Sequence, residues 1–551
     1  MRLQGRLALA ALLGLQAWLG LSFIRSAAPT YDEAVHLASG YSYLRTGRYR
    51  LNIMDHPPLA EMWAALPLLP LGPAWPSSHP DCMANRPYRC SDFFLYQNRV
   101  SAERMLDTAR VFALLTLGGL LSFSLLRWAW ALGGWPTALA AATASAFCPV
   151  LLSNIALVTT DGLSAALFFL VFWLLSSEKR SLKRWALAGA CAGLALGSKF
   201  NMILLVPLAG ACIVLEHLLR PKPRPRLPWA GMLAAAAAAV LSLALVYRFS
   251  QLPLYFDGLS ATLARLDRGR STFLHGGYSN QGFLLYFPLA LALKTPLPTL
   301  LCALGAAVSW LKGPRRERVW ILVPMVGYFL AALASKTQIG VRHLLPMMPF
   351  LLLAAACGAA ALWTRSRAAV LALGLWLAAS ALRVHPHQLA YFNELIGGPA
   401  HAHAWFVDST LDWGQDLKTL GQELAAMGAP PIYLSYFGCA DPAAYGIRYV
   451  PLPTYTNVDR AVADAPDPAA SGRVLLAVSA TNLEANYFAD RELFAWLKQR
   501  KPLKVLGYSM FLYDLTEDEE ARGRLARLAD ASGFPAQAKN LVRLSKPPAR
   551  G

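Results

Sequence analysis

Residues 228–249 read PWAGMLAAAAAAVLSLALVYRF, and this stretch decides the class of fold. One charge, Arg248, interrupts the apolar run, and it does so only at the end. A run of about 18 or more apolar residues is long enough to cross a lipid bilayer as a helix. The run lacks the alternation of a strand, and the bilayer interior admits only helices and closed barrels. It therefore predicts a transmembrane helix.

Similar apolar runs lie on both sides of this stretch. They cover residues 5–24, 110–126, 136–153, 163–177, 185–198, 202–219, 284–311, 319–335, 343–363 and 367–384. Only 15% of the 551 residues are charged, whereas soluble domains have about 25%. The first run has the basic start of a signal peptide but is long for one, so we expect it to be retained. Residues 1–384 are predicted to form an α-helical polytopic membrane domain with about eleven transmembrane helices.

The connections between the runs fall into two alternating sets. Short basic connections contain Arg2, Arg6, Arg127, the loops 179–184, 220–226 and 312–318, and Arg365 with Arg367. Basic loops remain in the cytoplasm, so the longer connections 25–109, 154–162, 250–283 and 336–342 are predicted to face outward. This pattern predicts a multi-pass protein of a bacterial-type inner (plasma) membrane with a cytoplasmic N-terminus. It also explains the net charge of +19 without a nucleic-acid partner.

The chain after the last apolar run is polar. Residues 385–551 contain strand-like stretches at 432–436 and 474–478 and helical stretches at 417–427 and 492–499, with a helical end from about Glu517. An odd number of spans puts this tail outside the membrane. We therefore expect a C-terminal extracytoplasmic α/β domain with a helical tail.

Acids and histidines are concentrated in the first outer loop, residues 25–109. Residues 31–36 read YDEAVH, and residues 55–61 read DHPPLAE, with a rigid Pro-Pro pair. The run 59–71 is short for a span and fits an interfacial helix. Cys82 and Cys90 of the same loop pair in an oxidising compartment or remain free thiols.

The Asp32-Glu33 pair followed by Asp55-His56-Pro57-Pro58-Leu59 resembles the pattern of protein O-mannosyltransferases and lipid A aminoarabinose transferases, which are GT-C membrane glycosyltransferases. The resemblance covers about residues 1–384. Loop 250–283 is too short for the β-trefoil insert of the yeast-type members, so the chain looks closer to the bacterial ones.

The resemblance implies inverting transfer of a sugar from a polyprenyl-phosphate donor to an acceptor protein, lipid or glycan, in contact with membrane lipids. Asp32 matches the family's catalytic aspartate and is the candidate base. Glu33, the second candidate catalytic residue, and His56 would help to position substrate or to orient the base, and Asp55 is a candidate substrate-binding residue. The alternative for Asp32 is a helix cap or a surface ion pair with Arg48 or Arg50.

Further charged residues lie at the outer ends of the predicted helices. They are Arg110, Asp161, Lys199, Lys294, Lys336, Arg342 and His343. An acid at membrane depth is a functional candidate, although Asp161 also fits a helix cap. The positive-inside bias does not explain the cations, but a phosphate donor would. The alternative is that their long side chains extend to the lipid headgroups. Arg110 matches a family arginine at similar placement.

No cofactor is expected to be required, although Asp32, Glu33, Asp55 and Asp161 leave room for a divalent cation. The Gly-rich loop 272–279 is a candidate cover for the substrate. The acidic stretch 408–416 is interpreted as a capped surface helix start, and the alternative is that it binds acceptor carbohydrate by stacking on Trp413. The competing functions are a transporter or flippase of a lipid-linked sugar and a scaffold whose tail binds partners. A transporter would place its charges near the bilayer midplane, whereas here they gather at one face.

Overall fold

The structure, a computed structural model, describes residues 3–178, 180–222, 226–310, 316–460, 462 and 464–543. Among the basic residues used above for orientation, Arg2, Lys179, Arg224, Lys312 and Arg315 lie outside these ranges. The part of the chain that is described is mostly helical, with a small sheet near the C-terminus.

Every predicted apolar run falls in helical structure. The first helices are α1 (Leu3–Ser26), α2 (Glu33–Thr46), α3 (Pro58–Ala65), α4 (Pro80–Met83), α5 (Pro87–Tyr96), α6 (Ala102–Ala146), α7 (Pro149–Ala156), α8 (Thr160–Ser176), α9 (Leu182–Leu196), α10 (Leu205–Leu218) and α11 (Trp229–Val246). They are followed by α12 (Pro253–Arg268), α13 (Tyr286–Lys294), α14 (Leu297–Trp310), α15 (Arg316–Leu333), α16 (Met348–Trp363) and α17 (Arg367–Leu382).

Five helical segments among the described residues are long and apolar enough to span a membrane, and up to seven if two bent pairs count as single spans. Helix α6 runs for 45 residues but has a break at Gly133 and Gly134, where the predicted runs 110–126 and 136–153 are separated. Helices α15 and α17 are shorter apolar helices, and α9 has 15 residues. The multi-pass membrane class is confirmed, whereas the number of eleven spans stays a prediction.

Two sharp bends in the membrane domain bring charged residues to one end of the bundle. Helices α7 and α8 meet at 116°, and α13 and α14 meet at 111°. Asp161 lies in the first turn of α8, and Lys294 is the last residue of α13. Pro296 follows at the second bend, where its missing N–H and fixed ring favour a break.

The first outer loop folds into α2 to α5. Helix α3 continues into a 3-10 turn at Leu66–Leu68, so the predicted short helix after Pro58 is confirmed. Cys82 and Cys90 form a disulfide. Farther along the chain, the outer loop after α12 forms a hairpin of β1 (Thr272–Leu274) and β2 (Gly277–Ser279).

The C-terminal region contains β3 (Ile432–Ser435), β4 (Tyr449–Pro451), β5 (Leu475–Ser479), β6 (Lys504–Leu506) and β7 (Met510–Asp514), with α18 (Leu417–Ala426), α19 (Ala480–Leu483), α20 (Glu519–Ala531) and α21 (Pro535–Arg543). The strand order is β4-β3-β5-β7-β6, parallel among the first three strands and antiparallel among the last three. The predicted α/β character and the helical end are confirmed.

One predicted helix in this region is wrong. Residues 492–499 form turns with a short 3-10 segment at Ala495–Leu497. Phe494 and Trp496 both bury their side chains. Residues two apart face different sides of an α-helix, so a helix would not bury both against one core.

The C-terminal region packs directly on the start of the first outer loop. The backbone N–H of Ala28 donates to the carbonyl of Gln415 at 2.8 Å, and that of Tyr31 donates to the carbonyl of Trp413 at 2.9 Å. These two bonds fix the segment that leads into Asp32. The tail therefore helps to build the region in which the candidate site lies.

Candidate active site

Asp32 is the residue immediately before α2, and its side chain keeps 23% of its surface exposed. Although it occupies the N-cap position, its carboxylate makes no capping hydrogen bond. The Tyr88 hydroxyl donates to Oδ1 at 3.3 Å, and Nη2 of Arg342 lies 3.2 Å from Oδ2. Neither alternative for Asp32, a cap or an ion pair with Arg48 or Arg50, is seen among the described residues.

Glu33 is fully buried and saturated with partners. The Arg110 guanidinium donates to both carboxylate oxygens, at 2.9 and 2.5 Å, and the backbone N–H groups of Thr30 and Val158 donate at 2.8 and 2.9 Å. Burial alone would raise the pKa of Glu33, but the charge and hydrogen bonds of Arg110 outweigh it and lower that pKa. This arrangement ties the outer loop to α6 and leaves Glu33 no free acceptor for a substrate.

Asp161, Lys199 and Arg342 meet beside Asp32. The Lys199 ammonium donates to Oδ1 of Asp161, and Nη1 of Arg342 lies 3.7 Å from Oδ2. That oxygen of Asp161 is buried and accepts no hydrogen bond. Four predicted residues from four separate segments therefore form one network of two carboxylates and two cations.

His56 borders this network. Its ring centroid lies 5.0 Å from that of His36. Burial, together with the neighbouring His36 and Lys199, holds the pKa of His56 well below its usual range, so its imidazole is neutral. His343 directly follows Arg342 in a turn in which its backbone N–H donates to the Gly340 carbonyl at 3.2 Å.

A buried pair of His36 and Glu61 lies next to His56, and the sequence analysis did not identify it. Nδ1 of His36 lies 2.9 Å from Oε1 of Glu61, which also accepts from Asn52 at 2.6 Å. Burial would lower the pKa of His36, but the hydrogen bond to Glu61 outweighs it and raises that pKa. His36 ends the stretch 31–36 and Glu61 ends the stretch 55–61. Their place in the same two motifs as Asp32 and His56 was the signal that could have identified them.

Three predicted site residues contact other parts of the protein and not the network of Asp32, Asp161, Lys199 and Arg342. Asp55 forms a largely exposed ion pair with Arg265, and Lys336 donates to the backbone carbonyl of Asp267 at 3.3 Å. Lys294 is only 1% exposed. Its ammonium donates to the carbonyls of Leu389 and Thr410 at 2.7 and 2.5 Å. Because main-chain oxygens already hold this cation, its placement favours a structural role over phosphate contact.

The interpretation of residues 408–416 as a surface helix start is wrong. Asp408, Asp412 and Asp416 are all at most 4% exposed. Arg342 contacts this segment twice, since its Nε donates to Ser409 Oγ at 3.1 Å and its guanidinium lies 4.1 Å from the ring centroid of Trp413. Backbone N–H groups and hydroxyls satisfy the acids, which is why they tolerate burial.

An aromatic group with one arginine also lines the site, and no sequence motif marks it. The members are Tyr31, Tyr88, Arg270, Phe437, Tyr455 and Tyr487. They come from two outer loops and from separate parts of the tail, so no local spacing connects them. We call this set the aromatic band.

Two statements about metal stay predictions: that no cofactor is required, and that a divalent cation could bind. In the ranges that the structure describes, no group of three or more His, Cys, Asp or Glu side chains is placed to hold a metal ion. Of the four acids considered, Glu33 is paired with Arg110 and Asp55 with Arg265. Asp32 and Asp161 remain the two acids that share one cation, Arg342.

The comparisons with known proteins bear on the fold of this chain. The profile of the dolichyl-phosphate-mannose-protein mannosyltransferase family matches residues 106–248, which is less than half of the chain. The crystal structure of ArnT from Cupriavidus metallidurans bound to undecaprenyl phosphate is similar with a TM-score of 0.53 at 13% identity, covering 94% of this chain and 99% of that one. No curated protein sequence matches significantly.

Two further structures are similar at lower scores. ArnT from the same organism in the apo state has a TM-score of 0.49 at 13% identity, covering 92% of this chain and 97% of that chain. The apo oligosaccharyltransferase of Archaeoglobus fulgidus has a TM-score of 0.46 at 11% identity, covering 68% and 55%. The chain has the fold of the GT-C membrane glycosyltransferases, and the resemblance to the mannosyltransferase and ArnT-like group is confirmed.

Proposed function

We propose that the protein is an inverting glycosyltransferase that moves a sugar from a polyprenyl-phosphate donor to an extracytoplasmic acceptor. One observation carries the proposal: the partly exposed carboxylate of Asp32 lies 3.2 Å from a cation, Arg342, that also reaches Asp161. A base next to a phosphate-binding cation is what this transfer needs. The similar ArnT structure holds undecaprenyl phosphate, which supports a lipid phosphate as part of the donor.

Asp32 is assigned the role of the base. It accepts the proton of the acceptor nucleophile while that atom attacks the anomeric carbon from the face opposite the phosphate. The bond between the anomeric carbon and the phosphate oxygen breaks, and its electron pair stays on the lipid phosphate. Attack from the opposite face inverts the anomeric configuration. The Tyr88 hydroxyl at 3.3 Å holds the carboxylate in position.

Lys199 and Arg342 are assigned to the lipid phosphate. Both are anchored by Asp161, which keeps two cations close together before the donor arrives. Pre-positioned cations stabilise the charge that develops on the leaving phosphate without reorganising during the reaction. His343 and the neutral His56 border the same region and are assigned to sugar contacts. Glu33 and Arg110 are assigned a positioning role only.

The orientation is part of the proposal. Asp32, Asp161, Lys199 and Arg342 meet in one network on the side of the predicted outer loops. The disulfide Cys82–Cys90 in the first outer loop suits an oxidising compartment. We place the chain in a bacterial-type inner membrane, with the N-terminus in the cytoplasm and the C-terminal domain outside.

The experiment is a donor assay with the purified full-length protein. A panel of polyprenyl-phosphate sugars is supplied together with a membrane extract as the source of acceptors, and free polyprenyl phosphate is measured. We expect release with at least one donor, and unchanged release after chelation of divalent cations. A transporter or flippase would instead move the intact donor across proteoliposomes and release no polyprenyl phosphate.

A further inference from the structure

Arg270 is a cation that stacks on aromatic rings of the C-terminal region. Its side chain is partly exposed, and among the described residues it makes neither a side-chain hydrogen bond nor an ion pair. Its guanidinium instead lies over the rings of Tyr487 and Tyr455, 5.1 and 5.8 Å from their centroids. Stacking on ring faces fixes the plane of a guanidinium while its N–H donors at the edge stay available.

The backbone around Arg270 is held in one conformation. Gly269 has a φ of 70°, and a Cβ there would collide with the carbonyl of Asn280, so glycine is required. On the other side, the Ser271 hydroxyl donates to the carbonyl of Asn486 at 2.6 Å. The hairpin that follows Arg270 is therefore fastened to the C-terminal domain, and the arginine is placed in advance of any ligand.

The environment also keeps Arg270 charged. Burial would disfavour the guanidinium, but the neighbouring Tyr487 and Asp408 outweigh it and raise the pKa of Arg270 above its ordinary value. Asp408 itself receives a hydrogen bond from the Tyr487 hydroxyl and another from the Ser409 N–H at 2.5 Å. Both carboxylate oxygens of Asp408 thus accept hydrogen bonds from donors other than Arg270.

The aromatic band connects Arg270 to one side of Asp32. Tyr88, which donates to Oδ1 of Asp32, has its ring centroid 5.8 Å from that of Tyr31. Tyr31 stacks on Tyr455 at 6.1 Å, and Tyr455 carries the stacked arginine. The phosphate-binding candidates approach the carboxylate from its other oxygen, Oδ2, through Arg342.

In an inverting transfer the acceptor lies on the side of the sugar opposite the leaving phosphate. The side of Asp32 lined by the aromatic band is therefore the acceptor side. The Tyr31 hydroxyl, buried and without a hydrogen-bond partner, adds one more unused polar group on this side. A cation and aromatic rings together suit a sugar or similar ring that carries a negative charge.

We propose that Arg270, held on Tyr455 and Tyr487, is a specificity-determining residue that binds an anionic group, phosphate or carboxylate, on the acceptor. The proposal rests on the proposed function and adds the class of acceptor. The transferred sugar goes to a nucleophile near Asp32, while the anionic group is held at a distance by Arg270 and is not consumed.

Binding of small anionic sugars to the full-length protein in phosphatidylcholine nanodiscs tests this assignment. The probes are glucose 1-phosphate, glucuronate and the neutral methyl glucoside, and affinities are measured by saturation-transfer NMR with polyprenyl phosphate saturating the site of Lys199 and Arg342. We expect at least one anionic probe to bind about tenfold tighter than methyl glucoside. Arg270→Gln removes this difference, Arg270→Lys keeps part of it, and the exposed neighbour variant Arg268→Gln retains it fully.

Equal affinity for all three probes in the wild type overturns the proposal, and so does an unchanged difference in Arg270→Gln. A parallel titration with polyprenyl phosphate separates the acceptor from the donor. If Arg270→Gln loses polyprenyl phosphate instead of the anionic sugar, Arg270 belongs to the donor side and the proposal is wrong. Failure of the proposed function looks different, since no donor would then release polyprenyl phosphate even in the wild type.

Discussion

The guanidinium of Arg342 lies 3.2 Å from the carboxylate of Asp32, although 310 residues separate them along the chain. The same side chain comes within 3.7 Å of Asp161 and lies 4.1 Å from the ring centroid of Trp413. One arginine thus contacts the first outer loop, the first turn of α8 and the C-terminal region. The geometry of the candidate site depends on this residue more than on any single motif.

Replacing Arg342 by lysine is expected to lower the rate of polyprenyl phosphate release by about tenfold to about a hundredfold. A lysine ammonium is a point charge and does not span two carboxylates as a planar guanidinium does. The measurement is the release rate at saturating donor. Arg367→Lys is the matched control, because Arg367 also stacks on a tryptophan, Trp363, but at the opposite end of the bundle. If Arg342→Lys and Arg367→Lys release polyprenyl phosphate at the same rate, Arg342 has no role in the site.

Glu33→Gln is expected to destabilise the protein, because it leaves the Arg110 guanidinium buried without its counter-charge. Breaking such a buried pair has an effect of roughly 3–5 kcal/mol. Thermal unfolding of the purified protein in detergent measures it. Glu103→Gln, which removes the exposed partner of Lys418, should change stability by less than about 1 kcal/mol. A Glu33→Gln variant that is as stable as wild type but inactive would argue for a direct catalytic role.

The two lysines at helix ends are expected to differ. Lys199→Met should weaken binding of polyprenyl phosphate by about tenfold, because it removes a charged donor from the partly exposed network. Lys294→Met should leave that affinity unchanged and lower the melting temperature, because the carbonyls of Leu389 and Thr410 lose their donor. Affinity and melting temperature are measured on the same preparations. If Lys294→Met weakened polyprenyl phosphate binding and Lys199→Met only lowered the melting temperature, Lys294 would be the phosphate-binding residue and Lys199 the structural one.

The buried acid Asp412 makes stability depend on pH. Burial raises the pKa of Asp412 to about 7 from 3.8, so the folded protein binds this proton more tightly than the unfolded chain. The stability from the protonated form is fully present below pH 3.8 and is lost as the pH rises through about 7. The melting temperature should fall over this range, and Asp412→Asn should reduce the fall, whereas the exposed control Asp530→Asn should not. An identical pH dependence in Asp412→Asn would exclude this titration.

Local patterns were sufficient to predict the membrane helices and the acidic loop. Apolar runs report helices because the bilayer leaves few alternatives, and residues 31–36 and 55–61 are close enough in sequence to be read together. The network of Asp161, Lys199 and Arg342 was predicted as separate charged positions. Their direct contact depends on the bends between helices, and the length of an apolar run does not reveal such a bend.

Tertiary contacts explain what local sequence patterns did not show. Lys199 follows one predicted apolar run and Lys294 interrupts another, and each is a lone cation in its stretch of sequence. They differ because residues 389 and 410, far along the chain, deliver carbonyl oxygens to one of them. The acidic stretch 408–416 was predicted to lie on the surface because ionised residues are seldom buried. Its burial depends on hydroxyl and N–H donors that the folded tail supplies.

The most direct test of the account compares purified wild-type protein with Asp32→Asn in the release of polyprenyl phosphate from its preferred donor. Asp267→Asn, at an exposed position, controls for the loss of one carboxylate. We expect Asp32→Asn to keep the melting temperature of the wild type and to lose about a hundredfold or more in rate, since a positioned base contributes about that much. Near-normal release by a folded Asp32→Asn variant would contradict the account.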